Sequence, residues 1–344
     1  MRRAALFIRL VAVFATGILV GAQGASAQHA GAFARSGFGV RGPSLGNALA
    51  ADDRAGAFYN PALAPFAAGQ NVSMSVTSRP FDRQDQSIQF STPQASRAGF
   101  AIGLLRSAVT GIDGRDNGGF HTRSLSTDEF AGFLAFGLRL GSRVTGGLSL
   151  QAFRSDLYDG LDPVSTIGID FGFTAAVSDR IRLALVLDDL LARYTWDTTG
   201  LYADGGKSTT DNFPRRLRLA GAGVFFDGRL RVLGEWEISF ASVEAMTRTV
   251  SLLGDRPVEF VDRADLVLRE GLFRAGVEAR PVDVLQLRFG LDRSRGGGYR
   301  PGFGLGLHQR LANLTLEFDY AYLREPFGVG AAHSAGLTLF FDRK

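Results

Sequence analysis

Hydrophobic residues alternate with polar or small residues along most of the chain, from about residue 70 to the end. In segment 314–322, Leu, Phe and Tyr occupy every second position, and Thr, Glu, Asp and Ala occupy the positions between them. A period of two is typical of β-strands with two different faces, because successive side chains of a strand point to opposite sides. The pattern therefore predicts an all-β protein.

The two faces of these strands differ in an unusual way. One carries large aliphatic and aromatic residues, and the other carries Gly and Ala together with Arg, Glu and Asp. A soluble sandwich would have an evenly polar outer face. A bulky face suits contact with lipid, and a Gly-rich charged face suits a narrow, filled lumen. We therefore expect a transmembrane antiparallel β-barrel.

The alternating segments number about fourteen, and an even number suits a closed bacterial barrel. Short connections at 140–143 and Asp227-Gly228 predict periplasmic turns, whereas 107–127, 191–213 and 242–269 predict outer loops. The last of these is long enough for its own small helix or hairpin. The predicted strands are 71–79, 85–92, 97–106, 128–140, 143–154, 164–177, 180–190, 214–226, 229–241, 270–280, 284–292, 300–310, 313–323 and 333–341.

The first 27 residues have the pattern of an export signal. A basic start at Arg2-Arg3 precedes a mostly apolar stretch, and Ala25-Ser26-Ala27 fits the small-x-small cleavage pattern. This predicts a signal peptide at 1–27, an N-terminal hatch or plug segment at 28–66, and a barrel at 67–344 in the cell outer membrane. Beyond residue 27 no stretch has the about 18 to 20 apolar residues that a membrane helix needs.

The predicted hatch is rich in Gly, Ala and Pro and does not alternate. Its candidate motif consists of Asp52, Asp53, Asn60, Pro61 and Ala62. The Asp pair and Asn60 could bind a cation or line a gated entrance. Turn and capping chemistry is the favoured interpretation, because Asp and Asn beside Gly and Pro commonly form turns.

Charged residues on the predicted inward face form a second candidate set. They could form an ion-selective lumen or pair as salt bridges that fill a closed barrel. A selective pore would need a ring of one sign, so the mixed signs favour the filled barrel. The set is Arg182, Arg218, Arg231, Glu235, Glu237, Arg288, Glu317 and Asp319, with Arg216, Arg274 and Glu278 on neighbouring inward positions. Five aromatic residues are expected in the interfacial girdles, although they could instead contact a hydrophobic ligand: Tyr194, Trp196, Tyr299, Tyr320 and Tyr322.

Composition excludes several classes of function. The chain has no Cys, so it has no disulfide or thiolate site. Three of its four net positive charges lie in the signal, so nothing indicates a nucleic-acid partner. Its four His residues have no partner placed by spacing for catalysis or metal binding. We therefore expect a non-enzymatic protein without a metal or cofactor.

The segment 39–66 resembles the opening of the PorV/PorQ-like outer-membrane proteins, which belong to the superfamily of the fatty-acid transporter FadL. The resemblance is carried by Leu45-Gly46, Ala51-Asp52-Asp53, Phe58-Tyr59 and Asn60-Pro61-Ala62. Segments that follow the family order towards the C-terminus are 276–278, 285–291, 302–306, 318–322, 327–328, His333 and 336–341.

This resemblance implies two alternative functions for a barrel surrounded by outer-membrane lipid. The first is a partner-binding component of type IX protein secretion, which would contact secretion components and exported cargo through its outer loops. The second is a FadL-like passive transporter of a hydrophobic ligand, with a hatch that moves. A lumen filled with charge pairs favours the first, and an apolar pocket would favour the second.

Overall fold

The computed structural model describes residues 29–94, 97–202, 205–253, 256–293, 298–311 and 314–341, without the side chains of 243–265 and Phe327. The predicted signal peptide at 1–27 lies outside the described residues. No helix in the described part of the chain is long and apolar enough to cross a membrane.

Fourteen strands form one closed antiparallel barrel, as the alternation predicts. Each strand pairs with its neighbours in chain order, and β1 closes the barrel by pairing with β16. Closure leaves no unpaired strand edge within the membrane. The barrel strands are β1 Gln70–Arg79, β2 Arg83–Gln94, β3 Ala98–Arg115, β4 His121–Arg139, β5 Val144–Asp156, β6 Val164–Ala176, β7 Ile181–Leu190, β10 Arg215–Phe225, β11 Leu230–Leu253, β12 Arg256–Val282, β13 Leu285–Arg293, β14 Tyr299–Leu311, β15 Leu314–Arg324 and β16 Ala331–Phe341.

The outer surface of the barrel is apolar, and the inner surface is polar or small, which confirms the predicted faces. On β15, Phe318, Tyr320 and Tyr322 are exposed on the outside, while Asp319 and Ala321 between them are buried inside. An apolar outer surface is the surface that a transmembrane barrel presents to lipid. Tyr320, Tyr322 and Tyr299 all lie on this outer face, where girdle residues are expected.

The two ends of the barrel differ in the length of their connections. Four-residue connections at 140–143, 177–180 and 226–229 lie at the end that also holds the start of β1 and the end of β16. The opposite end carries the longer connections and the extended hairpins. From the usual arrangement of bacterial barrels, we expect the short-turn end to face the periplasm and the other end to face outward.

The predicted outer loops contain more strand than the sequence indicates. β3 and β4 continue pairing beyond the membrane span, which leaves only 116–120 as a connection. β11 and β12 pair along their full length to Leu253 and Arg256, so 242–269 is a long hairpin, without a helix of its own. Both extensions satisfy backbone N–H and C=O groups across the hairpin, which a loop would leave to solvent.

The predicted loop 191–213 folds into a small separate sheet of β8 Arg193–Asp197 and β9 Ser208–Asn212, joined by a short helix, Thr199–Tyr202. Tyr194 is 1% exposed and packs on Phe213, which in turn packs on Phe153 of β5. The expectation of a girdle position is therefore wrong for Tyr194, because this sheet buries it instead of presenting it to the membrane interface.

Candidate functional site: the filled lumen

Residues 29–66, here called the lumenal segment, lie inside the barrel. This segment contains three short helices, Ala32–Ser36, Arg41–Ser44 and Pro61–Phe66. Many of its small residues are fully buried, and its backbone passes directly against the inner face of the wall. The lumen is therefore occupied by the chain's own N-terminal part.

Inward-facing glycines of the strands make room for this segment. A Cβ atom at any of them would overlap atoms of the lumenal segment, mostly backbone atoms, so only Gly fits. Half of this set lies along the strands β3 to β6, where residues 60–65 pass, and the other half lies on β12 to β14. These wall glycines are Gly99, Gly137, Gly147, Gly172, Gly276, Gly290, Gly302 and Gly304. The high Gly content of the chain thus has a local cause.

The Asn-Pro-Ala part of the candidate motif begins the helix Pro61–Phe66. Asn60 Oδ1 accepts a hydrogen bond from the Ala62 backbone N–H at 2.9 Å, and Asn60 Nδ2 donates to the Ala50 carbonyl at 2.7 Å. Asn60 is fully buried, and Pro61 occupies the first helical position, where its lack of an N–H costs nothing. This side chain therefore joins two turns of the lumenal segment.

Asp52 and Asp53 connect the lumenal segment to the wall. Arg231 of β11 donates from Nη1 to Oδ1 of both residues, at 2.7 Å each. Asp53 also pairs with Arg182 of β7 at 2.9 Å, and Asp52 pairs with Arg41 at 2.6 Å. Burial raises the pKa of Asp53, but Arg231 and Arg182 outweigh burial and hold this pKa below its ordinary value. The Asp53 carboxylate is therefore charged near neutral pH.

Glu278 of β12 is the centre of a second group of ion pairs. It accepts hydrogen bonds from Arg41 at 3.0 Å, Arg54 at 2.9 Å and Arg288 of β13 at 2.9 Å. Arg288 also pairs with Asp319 and with Glu317 of β15. Two cations of the lumenal segment are thus held by one carboxylate of the wall.

A third group lies between β7 and β13. Arg218 pairs with Asp188 at 2.6 Å and donates to the Tyr59 carbonyl at 2.7 Å. Arg274 of β12 pairs with Glu235 at 2.9 Å and with Glu237 at 2.8 Å. All eight predicted lumen charges lie on the inward face, and each forms an ion pair with a residue of opposite charge. These pairs fill space inside the barrel, and the eight residues form no ring of a single charge.

Aromatic residues form a cluster that the sequence pattern did not reveal. Phe58 lies with its ring centroid 4.8 Å from that of Phe38 and 5.6 Å from that of Phe133 on β4. Phe38 and Phe58 belong to the lumenal segment, which has no periodicity, so no pattern could place them. The cluster gives the lumen one apolar region beside its charged regions.

A cavity of about 410 Å³ lies between the lumenal segment and the inner faces of β1, β2 and β14–β16. The lumenal segment contributes the apolar residues Phe38, Phe58, Leu63 and Phe66 to it, together with the charged residues Arg41, Asp53 and Arg54. The wall opposite carries uncharged hydroxyl and amide groups from β1 and β2, together with His308 of β14 and the carboxylates of Glu317 and Asp319 on β15. The cavity also reaches residues at the periplasmic end of the wall, among them Phe340 of β16.

No group of His, Asp and Glu side chains within the described ranges is arranged to hold a metal ion. His121 pairs with Asp113 in the outer hairpin of β3 and β4, and His333 Nδ1 lies 2.7 Å from Tyr320 Oη on the outer face. His308 faces the cavity, and its Nδ1 has no hydrogen-bond partner among the described residues.

Comparisons with solved structures show a shared fold. The Ralstonia pickettii toluene transporter TbuX is 16% identical over 88% of this chain and 97% of its own, with a TM-score of 0.58. The Pseudomonas putida toluene transporter TodX is 14% identical over 88% and 96%, with a TM-score of 0.57. A Pseudomonas aeruginosa FadL homologue is 13% identical over 87% and 95%, with a TM-score of 0.52. At these identities the likeness concerns the fold.

No protein-family model matches the chain, and no curated protein matches its sequence. The chain therefore shares its barrel fold with two toluene transporters and a FadL homologue, and this is the fold that the resemblance implies. The narrower resemblance to PorV and PorQ stays a prediction.

Proposed function

We propose that the protein is a passive outer-membrane channel for small, largely apolar molecules, with the lumenal segment as its hatch. The observation that carries this proposal is the combination of an N-terminal segment inside a closed 14-stranded barrel with a cavity beside it. The structures with the same fold described above are of toluene transporters and a FadL homologue. This supports the transport alternative over the secretion alternative.

The packing of the lumen explains why such a channel would exclude water-soluble solutes while the lumenal segment is in the position described above. Wall glycines bring the strands into contact with the lumenal segment along β3–β6 and β12–β14. Ion pairs from Arg182, Arg231 and Glu278 bind it to three further points of the wall. A molecule that crosses the barrel must therefore use the cavity and displace part of the segment.

The cavity has a size and composition suited to one small ligand. Its volume of about 410 Å³ falls in the range of roughly 300 to 1,000 Å³ that is usual for small-molecule sites. Phe58 and Phe38 provide an apolar contact surface on the side of the lumenal segment. Transport needs only binding and movement, so the proposal requires no catalytic residue.

Uptake by whole cells tests this function, because lipopolysaccharide slows the entry of apolar molecules into an intact outer membrane. The full chain would be expressed in a Gram-negative host, and the uptake of radiolabelled toluene and of glycerol would be compared with that of the host alone. We expect faster toluene uptake and unchanged glycerol uptake. Equal toluene uptake with and without the protein would overturn the proposal, and faster glycerol uptake would indicate an open pore instead.

A further inference from the structure

The wall of the cavity carries a continuous row of hydrogen-bonding groups across five adjacent strands. The register places Gln89 opposite Ser73, and Ser73 opposite Thr338. Thr338 is opposite Glu317, and Glu317 is opposite His308. Directly opposed residues have Cβ atoms about 4.5–5.5 Å apart, so these side chains form one polar row. All five line the cavity.

Several polar side chains in or beside this row have no hydrogen-bond partner among the described residues. Among the described residues, Ser73, Thr315 and Thr338 make no side-chain hydrogen bond, although all three line the cavity. His308 adds a buried Nδ1 without a partner. Their neighbours Ser75 and Ser87, by contrast, bond to each other at 2.6 Å. Polar groups left unpaired at a cavity are available to a ligand.

The charged side chains that line the cavity already form ion pairs with other residues of the protein. Glu317 and Asp319 pair with Arg288, and Asp53 pairs with Arg231. Arg41 and Arg54 both pair with Glu278. A ligand with a full charge would compete with these ion pairs, so the cavity suits a neutral molecule.

From this juxtaposition we propose that the cavity binds neutral hydroxylated aromatic molecules, such as phenols and aromatic alcohols, in preference to plain hydrocarbons. The ring packs on Phe58 of the lumenal segment, and the hydroxyl group bonds to Thr338 and Ser73, which are neighbours in the polar row. This inference rests on the proposed channel function and narrows its substrate class. A bare hydrocarbon would displace water from the row's hydroxyl groups without replacing its hydrogen bonds, which weakens binding.

Three probes with the same tolyl group separate the possibilities: toluene, p-cresol and p-toluate. Binding to the detergent-solubilised full chain would be measured by calorimetry, with empty micelles as the blank. We expect p-cresol to bind at least tenfold more tightly than toluene, and p-toluate to bind more weakly than p-cresol. Equal affinities for p-cresol and toluene, or tightest binding of p-toluate, would overturn the inference.

A matched pair of variants locates the site. Thr338→Val keeps the shape and removes the hydroxyl, and Thr338→Ser keeps the hydroxyl. We expect Thr338→Val to weaken p-cresol binding by about three- to tenfold, the usual effect of one lost hydrogen bond. Toluene binding by Thr338→Val and p-cresol binding by Thr338→Ser should stay within twofold of wild type. An equal loss for both probes in Thr338→Val would contradict a hydroxyl-specific contact.

These binding results are independent of the uptake assay. Tighter binding of p-cresol without faster toluene uptake would contradict the channel function but would support the binding site. Faster toluene uptake without tighter binding of p-cresol would contradict the proposed binding site but would support the channel function.

Discussion

Arg41 of the lumenal segment donates from Nε to Oε2 of Glu278 on β12 at 3.0 Å, and neither side chain is more than 15% exposed. The two residues are 237 positions apart in the chain, so this contact joins the lumenal segment to a distant part of the sequence in the wall. Because Arg54 and Arg288 bond to the same carboxylate, Glu278 couples the position of the lumenal segment to the stability of the wall.

Replacing Glu278 by Gln should destabilise the folded barrel by about 3 to 5 kcal/mol, because three arginines would then surround a neutral group. The measurement is the temperature at which the compact band on unboiled gels converts to the unfolded band. Asp283→Asn is the control, since Asp283 is 88% exposed and its pair with Arg229 is long at 4.0 Å. Surface pairs contribute only about 0–1 kcal/mol. Equal shifts for the two variants would contradict the role assigned to Glu278.

Gly147→Ala should disturb the lumenal segment, because the new methyl group would overlap the backbone at Pro61 and Ala62. Overpacking of this kind typically costs about 1–3 kcal/mol. The readout is protease cleavage within residues 29–66 in outer-membrane vesicles opened at the periplasmic face. Gly141→Ala is the control, since a Cβ there meets nothing within 4 Å. Faster cleavage in both variants, or in neither, would refute the close packing at Gly147.

An Arg at Leu287 should hinder membrane insertion. Leu287 lies on the outer face and pairs with Leu305 at the middle of β14, so we expect it to contact the hydrocarbon layer of the membrane. Arg at the midplane of a barrel costs about 2–4 kcal/mol, and Arg near the interface costs about 0–1 kcal/mol. Leu311→Arg at the periplasmic end of β14 is therefore the matched control. The yield of inserted, heat-modifiable protein checks the prediction, and equal yields would show that the depth of Leu287 is assigned wrongly.

The barrel strands are predictable because lipid and lumen impose opposite requirements on successive residues. The alternation places every one of the fourteen strands, and it places Glu317 and Asp319 on the inner face. It does not predict the outer continuations of β11 and β12 or the sheet of β8 and β9. Beyond the membrane, no lipid-facing side exists to enforce a hydrophobic period.

The ion-pair partners in the lumen lie beyond what alternation can predict. The pattern fixes the face of Arg231, but its pairing with Asp52 and Asp53 depends on the path of a segment that has no periodicity. The same limit applies to Phe58 and Phe38, whose contacts arise only when the lumenal segment meets the wall. The wall glycines, by contrast, could be recognised from the sequence. Their repeated occurrence on the inward face already indicated a narrow, filled lumen.

The most direct measurement of the central claim is toluene uptake with the lumenal segment locked to the wall. The chain has no Cys, so the double variant Asp53→Cys/Arg182→Cys would contain only these two thiols. In the native protein, Arg182 Nη1 lies 2.9 Å from Asp53 Oδ2. A short bis-methanethiosulfonate reagent would link the two thiols, and the single variant Asp53→Cys with the same reagent is the control. The account predicts that linking reduces uptake to the level of the host without the protein and that dithiothreitol restores it. Uptake that continues unchanged in the linked protein would show that molecules cross without movement of residues 29–66, and would contradict the account.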